Sequence, residues 1–290
     1  MIPGSFNKMT AIITLTTDFG LSDAYVAAMK GVILDVNPQV LLVDICHTIK
    51  PQNISQAAFV LRTAHRYFPK KTIHLVVVDP GVGSGRRAII VRTPQACFVA
   101  PDNGVLSYVI QQSLAGPVAK KGQVSITEGL KPGADIEAVQ ITNPKFWRSP
   151  VSPTFHGRDI FAPVAALLSL GFPPVEFGEP VTSVEALPLS RPARRPDGSL
   201  LGHIIHIDGF GNLVTDIRND DLPGQSVLIE LGDRLFPGLN HTYAEGSGLL
   251  ALIGSSGYLE VSLKGGNASS LLDAKVGDEV KLRPQPAHSE

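Results

Sequence analysis

Short apolar runs recur through the first eighty residues, and each ends in a turn signal. Residues 11–16, 40–45 and 73–78 have the length of single strands. The last of them closes in the near-continuous apolar Leu75-Val76-Val77-Val78 and reads as a strand buried on both faces. Between these runs the apolar period lengthens to that of a helix. Ala24, Ala27, Ala28 and Leu34 contribute to the apolar surface of a helix predicted over 23–35, with Ser22 as its N-cap and Asn37-Pro38 as its stop. Ala57, Ala58, Leu61 and Ala64 stand at helical spacing within 54–67. Strand, helix, strand, helix, strand is the rhythm of a parallel sheet with crossover helices.

The pattern then changes. Residues 88–92 and 96–100 read as two more strands joined by Thr93-Pro94-Gln95. Pro101-Asp102-Asn103-Gly104 is a turn, and helices follow at 105–112 and 161–169, the second with Pro163 in its first turn, where proline is tolerated. Pro188, Arg191, Pro192, Arg194, Arg195 and Pro196 form a proline- and arginine-rich connector. Beyond it come β-like runs at 202–207, 212–217, 226–231, 248–253, 257–263 and 279–282, with no helix expected between them. The expected fold class is therefore α/β: a mostly parallel sheet with flanking helices over 10–185, a linker over 186–199, and a smaller antiparallel β-barrel-like domain over 200–286.

Composition narrows the function classes. The chain has 290 residues, 43% of them hydrophobic, which is enough for a real core. Lys+Arg 25 against Asp+Glu 26 leaves a net charge of -1, and no basic stripe announces a nucleic-acid partner. Cys46 and Cys97 each sit inside an apolar segment, as reduced thiols in a cytoplasmic protein would. Residues 1–10 carry no leader pattern, and no apolar run is long enough to span a bilayer, so no membrane role is expected.

Candidate chemistry collects where strands end. Two of the first three predicted strands are followed by aspartate, Asp18 and Asp79, and side chains past the carboxyl end of such strands face the ligand crevice. After Asp79, the turn Pro80-Gly81-Val82-Gly83-Ser84-Gly85 lets Arg86 fold back towards it. The plainer reading is a surface Arg–Asp pair on a glycine-rich connection. A phosphate cradle is rejected. The glycine spacing fits no dinucleotide fingerprint, no Gly-Lys-Ser/Thr ending follows, and the next segment is a strand rather than a helix N-terminus. A metal site on Asp18, Asp79, His156 and Asp159 is also set aside, because no His-x-x-x-His or Cys-x-x-Cys pair supports it. Asp44, at the end of the second strand, and His47 just after it could join Asp18 and Asp79; His47 reads more simply as a hydrogen-bonded structural histidine. In the second half, Asp208-Gly209-Phe210-Gly211-Asn212, Tyr243 and Ser255-Ser256-Gly257-Tyr258 are either plain turns or a grip on a small polar ligand.

Five motifs in this order and spacing resemble one family. They are Thr17-Asp18-Phe19-Gly20, Val78-Asp79-Pro80-Gly81-Val82-Gly83, Pro101-Asp102-Asn103-Gly104, Thr154-Phe155-His156-Gly157-Arg158-Asp159 and Asp208-Gly209-Phe210-Gly211-Asn212. The family is the S-adenosylmethionine hydrolases, or S-adenosylmethionine hydroxide adenosyltransferases, relatives of the bacterial fluorinase and chlorinase. The resemblance implies hydrolysis of S-adenosylmethionine to adenosine and methionine, with no cofactor and no metal. It implies a homotrimer that binds substrate between the N-terminal domain of one subunit and the C-terminal domain of the next. It implies a water-handling triad of Asp79, Arg86 and His156. Asp18 would hold the ribose hydroxyls, Phe210 and Tyr243 would flank the adenine, Asn212 and Ser255 would bond its edge, and Asp208 would meet the methionine ammonium. Phe155 and Tyr258 join the substrate-binding set on the same basis.

Two rivals use the same pocket. A halide-dependent adenosyl transferase would carry tyrosines at the positions of Asp79 and His156, a serine at that of Gly157, and a loop inserted at Thr93-Pro94-Gln95; every departure here favours water. A non-catalytic sensor of S-adenosylmethionine or adenosine would show a broken triad, and this one is intact.

Overall fold

In the computed structural model, which describes residues 10–114, 122–126, 128, 135–222 and 227–284, the chain divides into two units, Met1–Leu189 and Ser190–Glu290. Residues 1–9, where the sequence shows no leader pattern, lie outside the described ones. The strands of the first unit are β1 (Ile12–Thr17), β2 (Leu41–Cys46), β3 (Thr72–Val77), β4 (Ala88–Arg92), β5 (Ala96–Pro101), β6 (Gly122–Ser125), β7 (Glu137–Ile141), β8 (Gly178–Pro180) and β9 (Ser183–Ala186). They form a sheet in the order β2-β1-β3-β5-β4-β7-β8, with β6 and β9 paired separately. Strands β2, β1, β3 and β5 are parallel neighbours, and β4, β7 and β8 extend the sheet antiparallel. Helices α1 (Tyr25–Val36) and α2 (Ile54–His65) make the first two crossovers; α3 (Ser107–Ser113) and α4 (Ala162–Ser169) follow later.

Strand β3 shows why the sheet is sandwiched. All six of its residues are buried, and alternation sends them to two cores. Ile73, Leu75 and Val77 pack with Met29, Ile33 and Phe161, while Val76 and the following Val78 pack with Leu61 and Phe98. Each such side chain contributes about 1.5–3 kcal/mol when fully removed from water.

The helix starts are less regular. Ser22 does not cap α1; Ala24 holds the N-cap position, with no side-chain hydrogen bond. In α2, by contrast, Asn53 Oδ1 accepts from the Gln56 amide at 2.9 Å. A π-helical turn, Gly157–Phe161, runs directly into α4, whose first turn carries Pro163.

The strand pairs of the second unit are antiparallel. Its strands are β10 (Ala193–Arg194), β11 (Leu200–Ile207), β12 (Leu213–Arg218), β13 (Val227–Leu231), β14 (Arg234–Gly238), β15 (Leu249–Ile253), β16 (Tyr258–Leu263) and β17 (Glu279–Pro284). Their order is β14-β13-β17-β11-β12-β16-β15, with β10 on β11. The two end strands approach through a bridge from Asn240 to Leu252, so the sheet nearly closes into a barrel. Three elements here were not expected, the first being β10, inside the stretch read as a linker. Strand β14 is masked in the sequence by Arg234 and Pro237, and it forms as the hairpin partner of β13. A short helix, α5 (Ala268–Leu272), stands where no helix was predicted, capped by Asn267, whose side chain accepts from the Ser270 amide.

The proline- and arginine-rich connector is shared between the units. The Leu187 amide donates to Ser107 Oγ at 2.7 Å, while β10 pairs with β11. No helix of the described residues is long and apolar enough to cross a membrane.

Candidate active site

Asp18 and Asp79 meet because β1 and β3 are neighbours in register, Thr17 opposite Val77, so both carboxylates leave the same edge of the sheet. The end of β3 is pinned from the side: Asn103 Nδ2, in the turn after β5, donates to the Val78 carbonyl at 2.9 Å. The glycine turn then reverses the chain. Gly83 has φ +77°, and a Cβ there would stand 2.5 Å from the Pro153 carbonyl oxygen, so only glycine lets this turn lie against the loop that carries His156.

The turn returns Arg86 to Asp79. Its Nε donates to the two carboxylate oxygens at 2.9 and 3.0 Å, and a terminal nitrogen donates to Oδ2 as well. The same terminal nitrogen donates to His156 Nδ1 at 3.1 Å. The guanidinium lies 5.1 Å from the Phe161 ring centroid, and the Asp79 side chain is only 5% exposed. Arg86 thus joins a carboxylate and an imidazole in one cluster. His156 is presented by a loop closed on itself: Asp159 pairs with Arg158 and accepts from the Ser152 amide at 2.9 Å.

An arginine has no acceptor, so His156 Nδ1 must be the acceptor and the ring proton sits on Nε2. Burial first, and the charge of Arg86 second, hold this imidazole below its ordinary value, so it is neutral at pH 7. Asp18 is held differently, its Oδ2 accepting from the Gln52 amide at 2.7 Å. Asp18, Phe19, Asp79, Phe155, His156 and Gly157 line one cavity of about 280 Å³. Phe155 also packs edge-on against Phe19 and Tyr25. His47 is buried, bonded by Nδ1 to Thr17 Oγ1 at 2.8 Å, with Nε2 3.0 Å from Asp44; its carbonyl accepts from the Gly20 amide, which holds the Asp18 turn.

The second unit has its own cavity, of about 630 Å³. Asp208, Phe210, Asn212, Tyr243 and Ser255 all line it, although 47 residues of chain separate the first from the last. Phe210 is 80% exposed, which leaves an aromatic face open at the rim. Asp208 builds the local turn: Oδ1 accepts from the Phe210 and Asn212 amides, and Oδ2 from Asn212 Nδ2, each at 2.9 Å. Tyr258 is not among the lining residues. It is 2% exposed, with the Arg218 guanidinium over its ring. The lining residues from β16 onwards escaped the sequence reading, Glu260 and Ser262 among them; Glu260, buried on β16, accepts from the Tyr243 hydroxyl at 2.9 Å. The signal for Glu260 was a lone charge in the otherwise uncharged run Tyr258–Leu263. Among the described residues, no group of three or more His, Cys, Asp or Glu side chains is arranged to hold a metal ion.

Comparison with known proteins covers both units. A family model described as the SAM hydroxide adenosyltransferase N-terminal domain matches residues 13–178, and that of the C-terminal domain matches residues 202–281. The chain is 35% identical over 277 residues to a protein of Salinispora tropica named (R)-S-adenosyl-L-methionine hydrolase, spanning 94% of this chain and 98% of that one. A fluorinase of Nocardia brasiliensis is 26% identical over 315 residues, 96% of this chain and 98% of its own. A crystal structure of an uncharacterized conserved protein from Thermotoga maritima matches with a TM-score of 0.81 at 35% identity, over 93% of this chain and 99% of that one.

Proposed function

The chain belongs to the SAM hydroxide adenosyltransferase family, and from that premise we propose that it hydrolyses S-adenosyl-L-methionine to adenosine and L-methionine. The observation that carries this reading is the Arg86 bridge between Asp79 and His156 at the cavity that also holds Asp18.

The chemistry asks for little beyond placement. The sulfonium leaves as the neutral thioether of methionine, so neither a general acid nor a metal is needed at the leaving atom. Water attacks the ribose C5′ in line with the breaking C–S bond, and the bonding pair stays on sulfur. Holding the two reactants in that geometry supplies much of the rate. His156 offers an N–H from Nε2 and steadies the water through one of its lone pairs. Asp79 takes the proton. As the C–O bond forms, the attacking oxygen becomes strongly acidic, so a carboxylate already paired with arginine is base enough.

Asp18 holds the ribose hydroxyls and Phe155 walls the pocket. Phe210 and Tyr243 flank the adenine, Asn212 and Ser255 bond its edge, and Asp208 faces the methionine ammonium. Tyr258 supports the strand that carries part of this surface. No cofactor enters the reaction. The homotrimer that the family resemblance implies is the proposed working form. Cys46 and Cys97 are both free, in keeping with the cytoplasmic setting proposed here.

The test is incubation of chelator-treated protein with S-adenosylmethionine in halide-free buffer, with adenosine and methionine followed by chromatography. Equimolar release of both supports the hydrolase. Binding without release makes the protein a sensor, and product that appears only with added halide makes it a halogenase.

A further inference from the structure

Two buried polar side chains in the second-unit cavity have no part in the contacts above. Glu260 and Ser262 stand two apart on β16, so both point to one face, and both line the cavity. Glu260 is 7% exposed and Ser262 1%. Glu260 Oε2 accepts from the Tyr243 hydroxyl at 2.9 Å. Ser262 Oγ lies against that same hydroxyl and has no other partner among the described residues. Room for the carboxyl is made by Gly254, where a Cβ would fall 1.8 Å from Glu260 Oε1. The neighbouring acid, Asp208, already spends both oxygens on its own turn.

A buried carboxyl and a buried hydroxyl that share a single phenol as partner are costly unless a ligand completes them. Side by side they match one edge of adenine, which offers an amino N–H next to a ring-nitrogen acceptor. The aromatic wall sets the approach. A base lying on the Tyr243 ring carries its edge towards the groups gathered at the phenol oxygen, which are these two.

We propose that Glu260 and Ser262 read the amino-bearing edge of adenine, Glu260 accepting from the exocyclic amino group and Ser262 donating to the adjacent ring nitrogen. The opposite edge is left to Asn212 and Ser255. The pair makes the site selective for adenosine over inosine, whose carbonyl oxygen would face the Glu260 carboxyl. Burial, with the charge of Asp208 behind it, pushes the Glu260 carboxyl up, which suits a neutral heterocycle better than a cation. This inference rests on the S-adenosylmethionine reading of the site.

The experiment is calorimetric binding of adenosine, inosine and methionine to the intact protein and to Glu260→Gln and Ser262→Ala, alongside turnover of S-adenosylmethionine by the unmodified chain. The unmodified protein is expected to prefer adenosine over inosine by roughly tenfold or more, the scale of one buried acceptor left facing the wrong group. Glu260→Gln, whose amide can donate to the inosine oxygen, should remove most of that preference without changing methionine affinity. Ser262→Ala should weaken adenosine several-fold and spare methionine. An adenosine-to-inosine ratio unmoved by Glu260→Gln, or a loss of methionine affinity in its place, overturns the assignment while turnover persists. Absence of both turnover and adenosine binding in the unmodified protein overturns the S-adenosylmethionine reading itself, and this inference with it.

Discussion

Gly83 is where the backbone decides the geometry of the reacting groups, and Gly83→Ala tests that directly. A methyl group there would sit 2.5 Å from the Pro153 carbonyl oxygen, whereas real Cβ atoms stop at about 3.0 Å, so the glycine turn and the loop carrying His156 must part by about half an ångström or more. The residue is also at φ +77°, which costs an L-residue roughly 1–2 kcal/mol. The Arg86–His156 hydrogen bond, 3.1 Å now, would stretch to about the limit of useful geometry. Because misplacement by about 1 Å can cost a hundredfold in rate, kcat should fall by roughly 10- to 100-fold. Adenosine affinity should stay within about threefold, since the cavity of the second unit is untouched. The assay is adenosine release at saturating S-adenosylmethionine, with a thermal melt to confirm folding. Gly85→Ala is the control: it lies in the same turn, at a φ that other residues tolerate, with no atom within 4 Å of its added methyl, and should leave kcat within about twofold. A folded Gly83→Ala variant with kcat within threefold of the unmodified protein would refute the idea that this close approach positions the cluster.

Three further outcomes are expected. Asp79→Ala and His156→Ala should each abolish turnover while leaving measurable ligand binding; loss of binding in both, with the fold intact by circular dichroism, would count against their role in handling water. The pH profile should be level at neutral pH and fall on acidification, because protonating His156 Nδ1 displaces the Arg86 donor. Its midpoint should lie below the ordinary imidazole value of about 6.5, since burial and Arg86 both favour the neutral ring, and an acid limb centred above that value would contradict this. Stability should also fall with acid through His74, which burial first and His65 second bring down to about 3. The unfolded chain then binds a proton below about pH 6.5 that the folded one refuses until about pH 3, so moving from pH 7 to pH 5 removes about 2 kcal/mol. Denaturant titrations at the two pH values measure it. The double variant Thr14→Val with His74→Phe, which removes both partners of the 2.7 Å bond between them, should flatten the dependence.

What could be read from the residues alone was whatever is local. Uncharged, β-branched-rich runs ending in Asp18 and Asp79 gave strand ends, because a strand buried on both faces carries its charges only where it emerges. Helix existence followed from 3.6-residue spacing, and the antiparallel character of the second half followed from short runs and turns. Helix starts did not follow: Ser22 has the chemistry of a cap, yet the chain begins its helical geometry at Tyr25, and packing of Met29 and Ile33 on the sheet sets the register. Strand β14 was hidden because Arg234, Pro237 and Gly238 are poor strand formers, and it exists only as an edge paired to β13. Helix α5 was hidden because five residues carry too little periodicity to see.

The candidate sites divide in the same way. Residue types at Asp79, Arg86 and His156 were visible in the motifs. That one guanidinium joins the other two was not, because Arg86 and His156 are seventy residues apart and meet only where Gly83 lets two loops touch. In the second unit, the five residues picked from three separate turns share one cavity because the barrel brings β11, β12, β15 and β16 and their loops to one end. Tyr258 and Glu260 show the limit of such reading. Both belong to β16 and point to the same face by their spacing, yet Glu260 lines the cavity beside Tyr243 while Tyr258 is packed under Arg218. Sequence determines which side chains a strand carries and which of its faces they share; the curvature of the closed sheet and the neighbours laid over it decide which of them meet a ligand.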